Sequence, residues 1–115
     1  MASSDPSFRG DPARWNPEQL LVAALSDCHM LWYLHLCAVG GVTVESYVDE
    51  SVGTMATEKS GAGQFTEVVL RPRVVVASED MVDKAMSLHG KAHEMCFIAR
   101  SVNFPVRHSP TVVPR

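Results

Sequence analysis

No stretch of this sequence is basic enough to track nucleic acid. Its 10 Lys and Arg are scattered among 13 Asp and Glu, for a formal charge of −3, and neither a basic stripe nor an acidic block occurs. The opening MASSDPSFRGDP lacks a basic start running into an apolar stretch, so no secretory leader is expected. A membrane span is not expected either, because it needs roughly 18–20 unbroken apolar residues. The best candidate, residues 16–40, is interrupted by Ser26, Asp27, His29 and His35. Cysteine is scarce and odd in number. Cys28, Cys37 and Cys96 are widely spaced and form no C-x-x-C, which excludes a secreted disulfide framework and points to a reducing, cytoplasmic setting. The 115 residues suit one domain with a real core.

What the sequence does have is one apolar helix, NPEQLLVAALSDCHMLWYLHLCAVG, over residues 16–40. Asn16 is suited to accept from first-turn amides, Pro17 fits the first helical position, and Gln19 can close a capping box. Gly40, followed by Gly41, is expected to supply the left-handed residue at the far end. A helix apolar on nearly every side is buried on most sides. Ahead of it, residues 1–15 read as an extended arm with turns near Pro6 and Gly10–Pro12. Trp15 is placed to staple onto Leu20 or Leu21.

After the glycine pair, Val42, Val44 and Ser46 alternate with Thr43, Glu45 and Tyr47, as in a strand with one wet face. Residues 59–63 (KSGAG) are turn material. A second run sets Val68, Leu70, Val74 and Val76 against Glu67, Arg71 and Arg73, so the two runs predict an antiparallel hairpin. Pro72 removes a donor and predicts an edge or a bulge nearby. Ser78 is the expected cap of a second helix, with Glu79 and Asp80 in its first turn. Val82, Ala85, Leu88 or His89, Ala92 and Met95 form its apolar face. Gly90 inside that helix suggests close packing. FPVRHSPTVV ends the chain as one short strand interrupted by prolines. The reading is an arm over residues 1–15 and a single α+β domain over 16–115, with an antiparallel sheet and a long buried helix. Three strands leave part of such a helix uncovered, which predicts a symmetric dimer.

Most free cysteines are small core hydrophobes, and that reading suits Cys37, whose neighbours are apolar. It also stands open for Cys28 and Cys96. Against it, Cys28 lies among Ser26, Asp27 and His29, and Cys96 ends a helix in AHEMCFIARS. A reactive thiol in mid-helix needs a cationic neighbour, and Arg9 and Arg14 are nearest in sequence. Glu18 lies ten residues before Cys28, roughly 15 Å along the axis. The two can meet only if two copies of the helix cross antiparallel; otherwise Glu18 is simply a first-turn acid favoured by the dipole. His89, His93 and Cys96 share a helix face and form a competing zinc-like set that lacks a fourth ligand. His29 and His35 read as core or interface histidines.

The order NPEQLL…SDCHM…AHEMC…SV resembles the OsmC/Ohr family of thiol-dependent organic hydroperoxide reductases, over about residues 8–113. The resemblance rests on N-P-E, the helical cysteine ten residues after the Glu, and a second cysteine 68 residues further on. It implies an OsmC-like intertwined homodimer with the long helices at its centre and two active sites at the interface. The β-hairpin that opens family members has no counterpart here. The resemblance further implies that Cys28 is the peroxidatic thiolate, Cys96 the resolving thiol, and Glu18 the residue that orients an arginine, with Arg9 the best match for it. The substrate implied is an organic hydroperoxide and the reductant a dithiol, a lipoyl group in some members. No cofactor or metal is implied. The alternative keeps the fold as a non-catalytic, redox-responsive or ligand-binding dimer.

Overall fold

A computed structural model describes residues 16–115. The predicted arm, with its Trp15 staple, Arg9 and Arg14, lies outside the described residues.

The first helix, α1 (Pro17–Val39), is capped as its sequence requires. The Gln19 amide donates to Asn16 Oδ1 at 2.8 Å, and the Asn16 amide donates to Gln19 Oε1 at 3.1 Å. The far end corrects one expectation. Gly40 keeps φ −84°, and Gly41, at φ 78°, takes the left-handed conformation. The Val42 amide then reaches the Cys37 carbonyl at 2.8 Å and the Gly41 amide the Ala38 carbonyl at 3.5 Å. These are the two bonds of a Schellman ending, in which the glycine sits one residue beyond the cap.

Three long runs of chain follow, and each is broken near its middle. The first gives β1 (Val44–Asp49) and β2 (Val52–Thr57), the second β3 (Gly63–Leu70) and β4 (Pro72–Val76), the last β5 (Val106–His108) and β6 (Thr111–Pro114). The pieces form two three-stranded sheets, ordered β1-β4-β6 and β2-β3-β5. The predicted hairpin is present as the antiparallel ladders β1/β4 and β2/β3. The last run joins differently from the rest, pairing parallel through β5 on β3 and β6 on β4.

Two details depart from the alternation read in the sequence. The register slips between Val44 and Ser46, and such a bulge turns the following residues to the other face. Tyr47, expected on the wet face, is therefore half-buried against the core. Pro72 is neither on an edge strand nor at a bulge. It opens β4, the central strand of its sheet, and the first residue of a strand is a position where a missing donor is tolerated. Val68, Leu70, Val74 and Val76 are all buried, as their alternation predicts.

Asp49 ties the breaks together. Its carboxylate accepts from the Arg71 amide at 2.7 Å, from Ser51 Oγ at 2.7 Å and from Ser26 Oγ of α1 at 2.5 Å.

The second helix, α2 (Val82–Met95), is preceded by one 3-10 turn, Glu79–Met81. Ser78 does not cap it with its side chain, because its hydroxyl bonds to the Asp80 carboxylate instead. The buried face is Ala85, His89 and Ala92, so His89 rather than Leu88 points inward. Gly90 is exposed, and an added Cβ would meet nothing within 4 Å. Close packing is therefore not why a glycine stands there.

The core divides in two. Tyr33, Cys37, Val42, Val74, Val76, Ala85, Ala92 and Val112 form one cluster, between the C-terminal half of α1, α2 and the β1-β4-β6 sheet. Leu25, Val68, Leu70 and Val106 form a smaller one towards the other sheet. As expected, part of α1 stays uncovered: Leu20, Leu31 and Val39 are 46%, 64% and 75% exposed. By length and composition alone the helix, with a mean hydropathy of 1.4, would qualify to cross a membrane. In this fold its Leu25, His29, Tyr33 and Cys37 are instead buried against the rest of the chain.

Candidate functional site

Cys28 faces α2 from the middle of α1, and Cys96 is the residue at which α2 gives way to extended backbone, with φ −69° and ψ 113°. The fold brings the two thiols close enough to influence one another, although 68 residues separate them. Both are free, with Cys28 half-buried and Cys96 buried. Burial pushes the Cys96 thiol up from its ordinary value, and the neighbouring Cys28 adds to that. The Ala99 amide, 3.5 Å from Cys96 Sγ, pulls the other way, as does the Ile98 amide. Cys96 is thus held as a protonated thiol beside a more accessible one.

The surroundings are apolar and partly open. Phe97, the residue after Cys96, is 67% exposed. Its ring stands edge-on to Trp32 at 5.9 Å, and Trp32 stands edge-on to His35 at the same spacing. Leu31 and Trp32 follow Cys28 by three and four residues, which on a helix places them beside it.

Directly behind the thiols lies a feature that sequence reasoning missed. His29 and His89 are both fully buried, with His29 Nε2 and His89 Nδ1 3.0 Å apart. The two ring planes are parallel to within 2°. Tyr33 stacks on His89 with centroids 3.9 Å apart and donates its hydroxyl to the Ala85 carbonyl at 2.9 Å. His108 packs tilted against His29, at 5.8 Å, and against His93, at 5.2 Å. Burial first, then His108, lowers His29 to about 4; burial and then His29 itself lower His89 to about 3. Both imidazoles are therefore neutral at pH 7, and each keeps one ring nitrogen without a partner among the described residues. The sequence sets His29 beside His35 and His89 beside His93, because pairs close in sequence are the ones it displays.

This geometry dissolves the zinc-like set. His89 turns inward to His29, His93 packs on His108, and Cys96 lies by Cys28. Among the described residues no group of three or more His, Cys, Asp or Glu is arranged to hold a metal. Cys37 lies in the core, 1% exposed, with burial raising its thiol. His35 is an exposed residue of α1. Glu18 occupies the first turn of α1 with its Oε2 shielded from solvent and unpartnered among the described residues. Arg9 lies outside them.

Comparison with known proteins places the fold. A crystal structure of an OsmC-like protein of unknown function from Vibrio cholerae superposes with a TM-score of 0.84 at 39% identity, covering 95% of this chain and 75% of that one. An organic hydroperoxide resistance protein from Legionella pneumophila shares the fold at 21% identity and a TM-score of 0.72, with 96% and 77% covered. In sequence, the chain is 30% identical over 90 residues to the uncharacterized protein YmaD of Bacillus subtilis, matching 76% of this chain but only 59% of that protein. The model of the family described as OsmC-like protein matches residues 10–110. This chain belongs to the OsmC-like family.

Proposed function

We propose that this protein is a thiol-dependent peroxidase that reduces organic hydroperoxides to alcohols. The observation that carries the reading is the proximity of a half-buried Cys28 to a buried, protonated Cys96 that is followed by the exposed Phe97. In this scheme the Cys28 thiolate attacks the distal peroxide oxygen. The O–O bond breaks, the alkoxide leaves and takes up a proton, and Cys28 becomes a sulfenic acid. The Cys96 sulfur then attacks Cys28, its proton departs with the hydroxyl as water, and a Cys28–Cys96 disulfide remains. A cellular dithiol, such as a lipoyl group, restores both thiols by exchange and is itself oxidised to a disulfide.

Arg9 is proposed to favour the Cys28 thiolate and to stabilise the departing alkoxide, and Glu18 to orient it. The shielded, unpartnered Glu18 oxygen supports a cation arriving there. The exposed apolar residues of α1 support a homodimer, in which Glu18 of one protomer approaches Cys28 of the other. Leu31, Trp32 and Phe97 favour alkyl over small polar peroxides. The free thiols suit a reducing cytoplasm.

The test is to mix reduced protein with cumene hydroperoxide and follow peroxide loss and disulfide formation. Wild type should consume peroxide and Cys28→Ser should not, while Cys96→Ser should stop after one equivalent. A wild type that consumes none, or a Cys28→Ser variant that matches it, overturns the reading.

A further inference from the structure

The contact between α1 and α2 is a ladder of three rungs that descends one helix as it climbs the other. Cys28 lies near Cys96, His29 bonds to His89, and Tyr33 bonds to the Ala85 carbonyl. The two helices therefore run antiparallel along this seam. The small residue Ala92, with no exposed surface, lies between the first two rungs on α2. Apolar side chains packed around such a seam resist separation, but they oppose axial sliding only weakly. A buried hydrogen bond is different, because a slide breaks it and leaves two polar groups stranded. Burying two imidazoles costs stability that an apolar pair would not. Polar groups retained in such places are best attested as devices that fix register, like the buried Asn of coiled coils.

We propose that His29 and His89 are positioning residues that hold α2 at the one height on α1 where the Cys28 and Cys96 thiols meet. This rests on the proposed Cys28–Cys96 disulfide, though not on the peroxide step. His29 directly follows Cys28, so it senses the same turn of α1. His89 lies two turns before Cys96, so any slide of α2 at His89 is transmitted along a rigid helix to the second thiol. Bridging demands Cα atoms within about 7 Å, whereas one helical turn is about 5.4 Å. A slip of a single turn is therefore enough to prevent the disulfide while both helices stay folded.

The test measures the dithiol–disulfide equilibrium without peroxide, in glutathione buffers, by trapping free thiols and weighing the products. In each turnover two protein thiols become one disulfide while one glutathione disulfide becomes two glutathiones. His29→Leu/His89→Leu removes the bond and keeps an apolar seam; it should shift the equilibrium at least tenfold towards the dithiol, about 30 mV for this two-electron couple. His29→Gln/His89→Asn keeps donor and acceptor near the positions of Nε2 and Nδ1, and should stay within threefold of wild type. A folded leucine variant with the wild-type equilibrium overturns the proposal. Should the leucine variant fail to fold, the amide variant decides alone: the wild-type equilibrium supports the pin, and a tenfold shift overturns it. Loss of peroxide consumption with this equilibrium intact would instead count against the peroxidase reading.

Discussion

The two ends of α1 live in different surroundings. Its C-terminal half lies between α2 and the β1-β4-β6 sheet, and Tyr33, Cys37, Val74 and Val76 there are each at most 1% exposed. Its N-terminal half meets the β2-β3-β5 sheet through the smaller cluster around Leu25, Val68, Leu70 and Val106. All six residues of β2 are exposed, and Leu20 on this half of α1 is 46% exposed. Within one protomer, the first half can hold geometry and the second can only offer surface. The thiols sit at the border, with Cys96 anchored to the closed side and Cys28 reachable from the open one. A site that must both position two sulfurs and admit a substrate is well served there.

The sharpest way to break this contrast is a matched pair of truncations. Tyr33→Ala in the closed half removes a ring packed between His89 and Tyr47 and the hydroxyl bond to Ala85. It should cost about 3–5 kcal/mol, as large aromatic truncations in cores do. Met55→Ala, in β2 of the open half and 41% exposed, should stay within about 0.5 kcal/mol if that face is wet. Urea unfolding checks both. A loss at Met55 approaching that at Tyr33 would show that a second copy covers the open half in solution.

Acid should strike the closed half next hardest. His29 and His89, held at about 4 and about 3 chiefly by burial, are neutral in the fold, whereas in the unfolded chain they titrate near the ordinary value of about 6.5. The unfolded state therefore takes up protons first as the pH falls. Stability is fully present above about 6.5 and declines towards the folded values, by up to about 1.4 kcal/mol per pH unit for each histidine. Around His29, His108 and His93 act in the same direction as burial, and Asp49 opposes them. Urea midpoints at pH 7, 6 and 5 should fall in order, and His29→Leu/His89→Leu should flatten the series. A wild-type series that is already flat would mean that the pair is solvated.

Much of α1 was legible because its signals are local. Asn16, Pro17 and Gln19 form a cap that spans four residues, and the structure shows both of its bonds. The strand pattern through Val68, Leu70, Val74 and Val76 was legible for the same reason. Where the reading failed, something distant or a single-residue slip intervened. The bulge after Val44 turned Tyr47 inward, and one residue separated Gly41 from the expected Gly40. The parallel docking of β5 and β6 leaves no mark on their own composition. The His29–His89 bond joins residues 60 positions apart, and no periodicity announces it. Residue spacing alone left Cys28 and Cys96 as equally good core hydrophobes, and their pairing came only from the family resemblance.

A smaller test returns to the open half. Asn16→Ala removes the side chain that accepts from the Gln19 amide, while the backbone amide at position 16 can still donate to Gln19 Oε1. The cost should be about 1 kcal/mol, typical of a lost N-cap, and thermal unfolding would read it. Because this half has less packing to hold the first turn, helix fraying should start here, visible as faster amide exchange over residues 17–20 than over 33–36. Equal protection at the two ends would mean that the first turn is held by something beyond its own cap.

The smallest effect probes whether the closed half is closed by its own chain. Gly90 is an exposed residue inside α2, without a positive φ and with nothing within 4 Å of an added Cβ. Substitution by alanine should therefore relieve only the helix penalty of glycine and raise stability by about 0.8–1 kcal/mol. A rise of that size in urea unfolding means that the outer face of α2 is free. A loss means that another surface approaches Gly90 too closely to admit a methyl group, and the contrast between the two halves of α1 would then belong to the isolated protomer and not to the protein in solution.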